Sequence, residues 1–275
     1  STPLYSSAAS DVYKRQTEIR RRHAPRRCHM AKTLGILGGL GPAASVYFYQ
    51  MITEHTFALR DQDHLDIVLI SGAGIPDRSD FILGKSGQSP LPLMKEDVLK
   101  LARAGADLIA IPCNTAHYFF DELEKISPVP VLNIVKETVK LAKEAGIHKL
   151  GILATTGTVV AGAYQRACSD IGIDYLLPFD ESQEVLMNII YQSIKTANTP
   201  DTDKFLEIVT ELYAGGCDAV VLGCTELSLI PQTAAFESYR FIDSLLVLAR
   251  KSILECGKIP CGFPDIYTYM DKAFV

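Results

Sequence analysis

The sequence predicts an α/β protein whose mostly parallel sheets come in two related halves. Two observations carry this. Short apolar runs alternate with segments of helical period along nearly the whole chain, the pattern of strands covered on both faces by helices. The chain also repeats itself: Lys32 to Pro42 is mirrored by His148 to Thr158, and Ala104 to Thr115 by Gly215 to Glu226. Leu34 maps onto Leu150 at an offset of 116 and Cys113 onto Cys224 at an offset of 111. Two independent matches at nearly one offset indicate an internal duplication.

In order, Leu34 to Leu37 reads as a buried strand, and Gly38-Gly39-Leu40-Gly41-Pro42 as a glycine-rich turn with proline at a helix start. A helix is expected over 43–59, a strand over 65–70, a loop over 71–90 and a helix over 94–104. The strand 108–111 then leads into a helix over 116–126, a short strand over 129–132 and a helix over 135–145. The second half should hold a helix reaching 171, a strand over 173–176, and helices over 181–195 and 202–214 separated by Asn198-Thr199-Pro200. The second thiol strand follows, then a strand over 239–242 and a helix over 243–255. The tail 258–275 has little period and is expected to lie across the surface. The expectation is two pseudo-symmetric Rossmann-like domains, 31–134 plus 247–275 and 135–246. Ligands of such sheets sit outside the carboxyl ends of strands, so the active site should occupy the cleft between the domains.

Composition narrows the class. With 275 residues, 48% hydrophobic and 21% charged, the chain can bury one large or two medium cores. No apolar run approaches the roughly 20 residues that span a bilayer. Seven cysteines are too sparse for a disulfide scaffold and show no zinc-type clustering with histidine, so free thiols in a reducing cytoplasm are expected, with no metal site. Residues 1–29 carry a net +5 within a chain of net −5, leaving the remainder near −10. That balance argues against nucleic acid as a partner of the folded part. The basic leader has no apolar segment of a secretory signal, and His29-Met30 marks a junction. Residues 1–29 are therefore read as a non-native or disordered extension, and Met30 as the natural start.

Cysteine supplies the chemistry. A lone cysteine after an apolar strand is ordinarily a small buried hydrophobe. Cys168, Cys217 and Cys256 have no counterpart in the other half and keep that role. Cys113 and Cys224 stand at equivalent strand ends beside expected helix amino termini, where the helix dipole lowers a thiol pKa. One such thiol suggests a nucleophile. Two facing each other suggest acid and base on opposite sides of one carbon. The glycine turn has neither dinucleotide spacing nor a Gly-Lys-Ser/Thr ending, which excludes a P-loop. Its N–H groups offer a carboxylate cradle, or its glycines serve a tight turn alone. His117, one helical turn beyond Cys113, is read as a capping or partly buried residue.

These motifs carry a resemblance. Gly38 to Pro42, Ile75-Pro76-Asp77-Arg78, Cys113-Asn114-Thr115-Ala116-His117, Ala154 to Thr158 and Gly223-Cys224-Thr225-Glu226 resemble the aspartate/glutamate racemase family from about Lys32 to Ala249. The cell-wall glutamate racemases differ, with an Asp-Ser-Gly turn and a His where Glu226 stands here. The resemblance implies Cys113 and Cys224 as the two bases. It implies Arg78 and Lys195 as carboxylate anchors, and Asn114, Thr115 and Thr225 as contacts to the α-carboxylate and amino group. Leu40, Ala116 and Glu226, inside the same motifs, complete the implied substrate-binding set.

The expected reaction is cofactor-independent racemisation of an acidic amino acid, aspartate or also glutamate, with the two sulfurs about 7 Å apart around the substrate. The expected partners are that small molecule and, at most, a second copy in a homodimer; nucleic acid and membrane are not expected. Rival readings are a broad amino-acid racemase or maleate isomerase on the same scaffold, and a non-catalytic binder of acidic ligands. Without the resemblance, Arg78 would read as a solvated loop residue and Lys195 as a helix-end charge.

Overall fold

Each half starts from one buried strand flanked by two others. The computed structural model describes residues 31–230, 234–263 and 267–268. The leader, Met30 and most of the tail lie outside the described residues, while residues from Ala31 onward belong to one compact unit. β1 (Leu34–Gly38) lies between β2 (Ile67–Ser71) and β3 (Leu108–Ala110), all parallel. In the second half, β4 (Lys149–Leu153) lies between β5 (Asp174–Leu176) and β6 (Ala219–Leu222) in the same order. β7 (Phe241–Asp243) extends that sheet in parallel, and β8 (Tyr267–Thr268) closes its edge antiparallel. The fold is thus mixed α/β with parallel sheets, and the repeated sequence is a repeated topology.

The shared aspartate of the repeats has a common job. Asp107 Oδ2 accepts from the Thr33 N–H at 2.9 Å, and Asp218 Oδ2 from the N–H groups of His148 and Lys149 at 2.8 and 2.9 Å. Each aspartate satisfies the backbone donors where the central strand enters its sheet, which fixes the register of β1 against β3 and of β4 against β6. Gly35 and Gly151 are equivalent as well. A Cβ on Gly35 would stand 2.8 Å from Ala106 Cβ, and one on Gly151 3.0 Å from both Leu212 and Val220. The missing side chains let the covering helices α3 (Leu91–Arg103) and α9 (Thr202–Ala214) pack close to the sheets.

The helices follow the expected periods with informative exceptions. α1 (Pro42–Glu54) starts at its proline and stops five residues short of the expected end. Within the expected loop 71–90, Asp77 caps a short helix, α2 (Arg78–Ile82), by accepting from the Asp80 N–H. The helix after Cys113 begins instead as a 3₁₀ turn (Thr115–Phe119) before α4 (Phe120–Ile126). The strand expected over 129–132 shrinks to a parallel bridge between Ile109 and Val131, because Pro128 and Pro130 have no N–H to give a ladder. Beyond α5 (Ile134–Glu144), left-handed Gly162 divides the next helix into α6 (Thr156–Ala161) and α7 (Ala163–Asp170). α8 (Asp180–Asn188) gives way to a π turn (Ile189–Ser193) and a 3₁₀ turn (Ile194–Thr196), ending at Ala197 with φ +58°. Another 3₁₀ turn, Thr225–Leu229, follows β6.

One apolar cluster runs across both sheets, joining Leu34, Ile36 and Phe48 to Leu150, Ile152, Tyr164 and Ile242, with α10 (Ser244–Glu255) packed into it. Phe48 is fully buried, so truncation to alanine would cost about 3–5 kcal/mol. No helix among the described residues is long and apolar enough to cross a membrane.

Candidate active site

The carboxyl ends of β3 and β6 deliver Cys113 and Cys224 to one small cavity between the halves. It is lined by both thiols, Leu40, Asp77, Arg78, Ser79, Asn114, Thr115, Thr155, Tyr191, Lys195, Thr225 and Glu226. Its free volume is about 10 Å³, room for about one water molecule. An adjoining cavity of about 200 Å³ shares Leu40, Arg78, Lys195 and Glu226 and opens past Pro42, Ala43, Ile194 and Leu229.

The glycine turn makes room for this arrangement. Gly39 has φ +84°, and its N–H donates to Ser45 Oγ at 2.9 Å, so it is not free for a bound carboxylate. Gly41 matters for a steric reason: a Cβ there would stand 2.3 Å from Glu226 Oε1. Its mate by duplication, Gly157, would place a Cβ within 2.6–2.8 Å of Ser79. Each half thus uses one glycine to admit a residue of the other.

Arg78 opens α2 and is buried, with its guanidinium donating to the carbonyls of Leu40, Pro76 and Ile75. Its Nε is buried without a hydrogen-bond partner. Lys195, on the 3₁₀ turn after α8, places Nζ 3.8 Å from Asp77 Oδ2 and 3.9 Å from Glu226 Oε1, over the Tyr191 ring. Tyr191 also donates to the Asp77 carboxylate at 3.2 Å. Across the cavity the hydroxyls of Thr115, Thr155 and Thr158 form a triangle with edges of 2.8–3.0 Å, and Ser79 donates to Thr155. Asn114 is braced by Tyr164 and Ser244, at 2.7 and 3.0 Å.

Burial decides the resting electrostatics. It pushes the Cys113 thiol up, with Arg78 pulling the other way, and pushes Cys224 further up with help from the Glu226 carboxylate. The expected lowering by helix dipoles is therefore corrected. Both thiols precede five-residue 3₁₀ turns, which align too few peptide dipoles to offset desolvation. Burial alone would favour neutral Lys195, yet Glu226, Tyr191, Cys224 and Asp77 outweigh it and hold the ammonium charged. Burial pushes the Tyr191 phenol up to about 12, so it is a proton donor at neutral pH.

Of the residues singled out from sequence, Cys113, Cys224, Leu40, Arg78, Asn114, Thr115, Lys195, Thr225 and Glu226 all line the cavity. Ala116 does not; it is fully buried, and its N–H faces the Cys113 sulfur. Asp77, Ser79, Thr155 and Tyr191 line it without having been assigned roles. The duplication was the available signal for Thr155, which aligns with Gly39. His117 is buried, its Nδ1 2.9 Å from the Cys113 carbonyl and its Nε2 accepting from the Ile134 N–H at 3.2 Å. It pins the backbone of the thiol. No group of His, Cys, Asp and Glu suited to holding a metal ion occurs among the described residues.

Duplicated parallel sheets with two buried thiols at equivalent strand ends define an α/β protein with a shared interlobe site. Residues 37–251 match the model of the Asp/Glu/hydantoin racemase family. The chain belongs to that family and is an amino-acid racemase, an isomerase. It is similar to the aspartate racemase of Picrophilus torridus, with 31% identity, 84% of this chain and 96% of that one covered, and a TM-score of 0.71. An aspartate racemase homologue from Pyrococcus horikoshii OT3 gives 26% identity, 82% and 99% coverage and a TM-score of 0.67. The broad specificity amino-acid racemase RacX of Bacillus subtilis is 25% identical over 224 residues, 80% of this chain and 96% of that protein.

Proposed function

We propose that this racemase inverts the α-carbon of aspartate, and of glutamate as its longer homologue, using Cys113 and Cys224 as opposed acid and base without a cofactor. The observation that carries this is the placement of two equivalent buried thiols on one cavity that also holds Arg78 and Lys195. One thiolate takes the α-proton; the opposite thiol delivers its proton to the other face. The carbanion between them needs preorganised donors in a site that excludes water. Arg78 supplies a fork suited to a carboxylate. Lys195 supplies a second cation, released from Asp77 and Glu226 as the substrate carboxylate takes their place. Thr115 and Thr225 complete the polar wall, and Glu226 takes the ammonium group.

The free space in this cavity takes about one water molecule, so in this reading an amino acid enters as the site opens through the adjoining cavity. The turns 189–196 carry Tyr191 and Lys195 and form one wall of that route. The apolar lining there, with Ile194 and Leu229, and the similarity to RacX favour one second reading: amino acids with larger side chains are also accepted. Incubation in deuterated water tests both readings. Aspartate should exchange its α-proton and lose optical rotation; exchange of amino acids with larger apolar side chains as well selects the second reading. Conversion of maleate alone would make the protein an isomerase of another kind, and no exchange with any amino acid would overturn both readings.

A further inference from the structure

Cys113 and Cys224 are equivalent by duplication, but their surroundings differ in charge. Two residues beyond Cys113 stands Thr115, whose hydroxyl is engaged by Thr155 and Thr158. Two residues beyond Cys224 stands Glu226, and Cys224 Sγ donates to its Oε2 at 3.0 Å. Thr225 Oγ1 lies 3.3 Å from the same oxygen. The other oxygen, Oε1, is buried without a hydrogen-bond partner, 3.9 Å from Lys195 Nζ. On the opposite side, Cys113 faces the Arg78 guanidinium and the Ala116 N–H. A sulfur beside a carboxylate is stabilised as S–H, which can donate, and destabilised as S⁻, which is repelled. A sulfur beside a guanidinium and an N–H is stabilised as the thiolate.

We propose that Glu226 is a positioning residue that keeps Cys224 protonated in the free site, so that Cys113 ionises first and is the resting base. This assignment rests on the two-thiol reaction proposed above. From that state Cys113 S⁻ takes the α-proton, and the electron pair of the broken C–H bond stays on carbon. Cys224 S–H then gives its proton to the opposite face, and its sulfur keeps the bonding pair. The enzyme is left with a thiolate beside Glu226 and a thiol at Cys113. One proton must pass from Cys113 to Cys224 through solvent before the resting state returns, and Glu226 favours that return. The charged and titratable groups facing Cys224 are Glu226, Lys195 and Tyr191; those facing Cys113 are Arg78, Lys195 and Glu226. Lys195 opposes the carboxylate at Cys224, but Glu226 is the group in direct contact with the sulfur. Burial raises both thiols; at Cys224 the Glu226 carboxylate adds to that rise, and at Cys113 Arg78 opposes it.

The test is iodoacetamide labelling of the full chain between pH 7 and 10, with peptide mapping, for wild type, Glu226→Gln and Glu226→Asp. The two thiols are almost equally buried, at 6% and 5% exposure, so their labelling ratio within one sample cancels the opening of the site. In wild type Cys113 should label first. Glu226→Gln keeps the side-chain shape and removes the charge; it should raise Cys224 labelling relative to Cys113 by at least about tenfold. Glu226→Asp should restore much of the wild-type ratio. Faster labelling of Cys224 in wild type, an unchanged ratio in Glu226→Gln, or Asp behaving like Gln would each overturn the assignment. α-Proton exchange on the same samples separates the two levels. Exchange in wild type with an unmoved ratio defeats the assignment alone, whereas a shifted ratio without exchange supports the assignment and defeats the reaction.

Discussion

Gly157→Ala would press a methyl group into the contact that joins α6 to α2. The added Cβ would stand 2.6 Å from Ser79 Oγ, 2.7 Å from Ser79 Cα and 2.8 Å from Ser79 Cβ. The hydroxyl could rotate away, but Cα is backbone at the start of α2 and can retreat only if that helix moves. Overpacking of this kind costs about 1–3 kcal/mol. Alanine is the better helix residue by about 0.5–1 kcal/mol, so a net loss of roughly 0.5–2 kcal/mol remains. For a domain of this size that lowers Tm by roughly 1–8 °C. Arg78 precedes Ser79, so the same displacement moves the guanidinium from its carbonyls and should lower kcat/KM as well. Thermal and urea unfolding measure the first effect, and racemisation of aspartate the second. Gly87→Ala, where an added Cβ meets nothing within 4 Å, is the control and should stay within about 0.5 kcal/mol of wild type. If Gly157→Ala matched Gly87→Ala in both assays, the halves would not be in tight contact at this point.

Cys113→Ser and Cys224→Ser should each abolish full racemisation, because one proton acceptor and one donor are both required; near-normal interconversion by either would sink the two-thiol mechanism. Arg78→Met and Lys195→Met each remove a charge-assisted contact of about 1.5–3 kcal/mol and should lower kcat/KM for aspartate by roughly one to two orders of magnitude. Wild-type kinetics in both variants would move the carboxylate anchors elsewhere. Burial holds the His117 pKa below its ordinary value of 6.5, so the unfolded chain takes this proton first. Stability should therefore be independent of this group well above pH 6.5 and fall as pH drops below it, by at most about 1.4 kcal/mol per pH unit. Urea midpoints at pH 8, 6.5 and 5.5 should show a steeper acid loss in wild type than in His117→Gln, and equal slopes would remove His117 as the cause.

Much of the fold was legible because the duplication and the strand periods are local patterns. Leu34-Gly35-Ile36-Leu37 and Leu150-Gly151-Ile152-Leu153 can be recognised as paired central strands before any contact is known, and Cys113 and Cys224 follow as equivalent strand ends. Local pattern fails where hydrogen-bond supply or neighbouring backbone decides. Pro128 and Pro130 reduce an apolar run to a single bridge. Asp77 turns part of a loop into a capped helix that buries Arg78.

The chain by itself determined the two thiols, each fixed by its place in a repeated strand-turn unit, while the two cations and the carboxylate were implied only by the family resemblance. Only the tertiary structure decided their charge and company. A dipole argument from sequence puts both thiols low, but desolvation depends on everything packed around a sulfur, and it raises both. The duplication makes the cysteines look alike. Their difference comes from Arg78, which α2 brings to one, and from Glu226, which the space over Gly41 admits beside the other. Electrostatic and steric terms of this kind act through space between segments distant in sequence, so no local reading of the chain contains them.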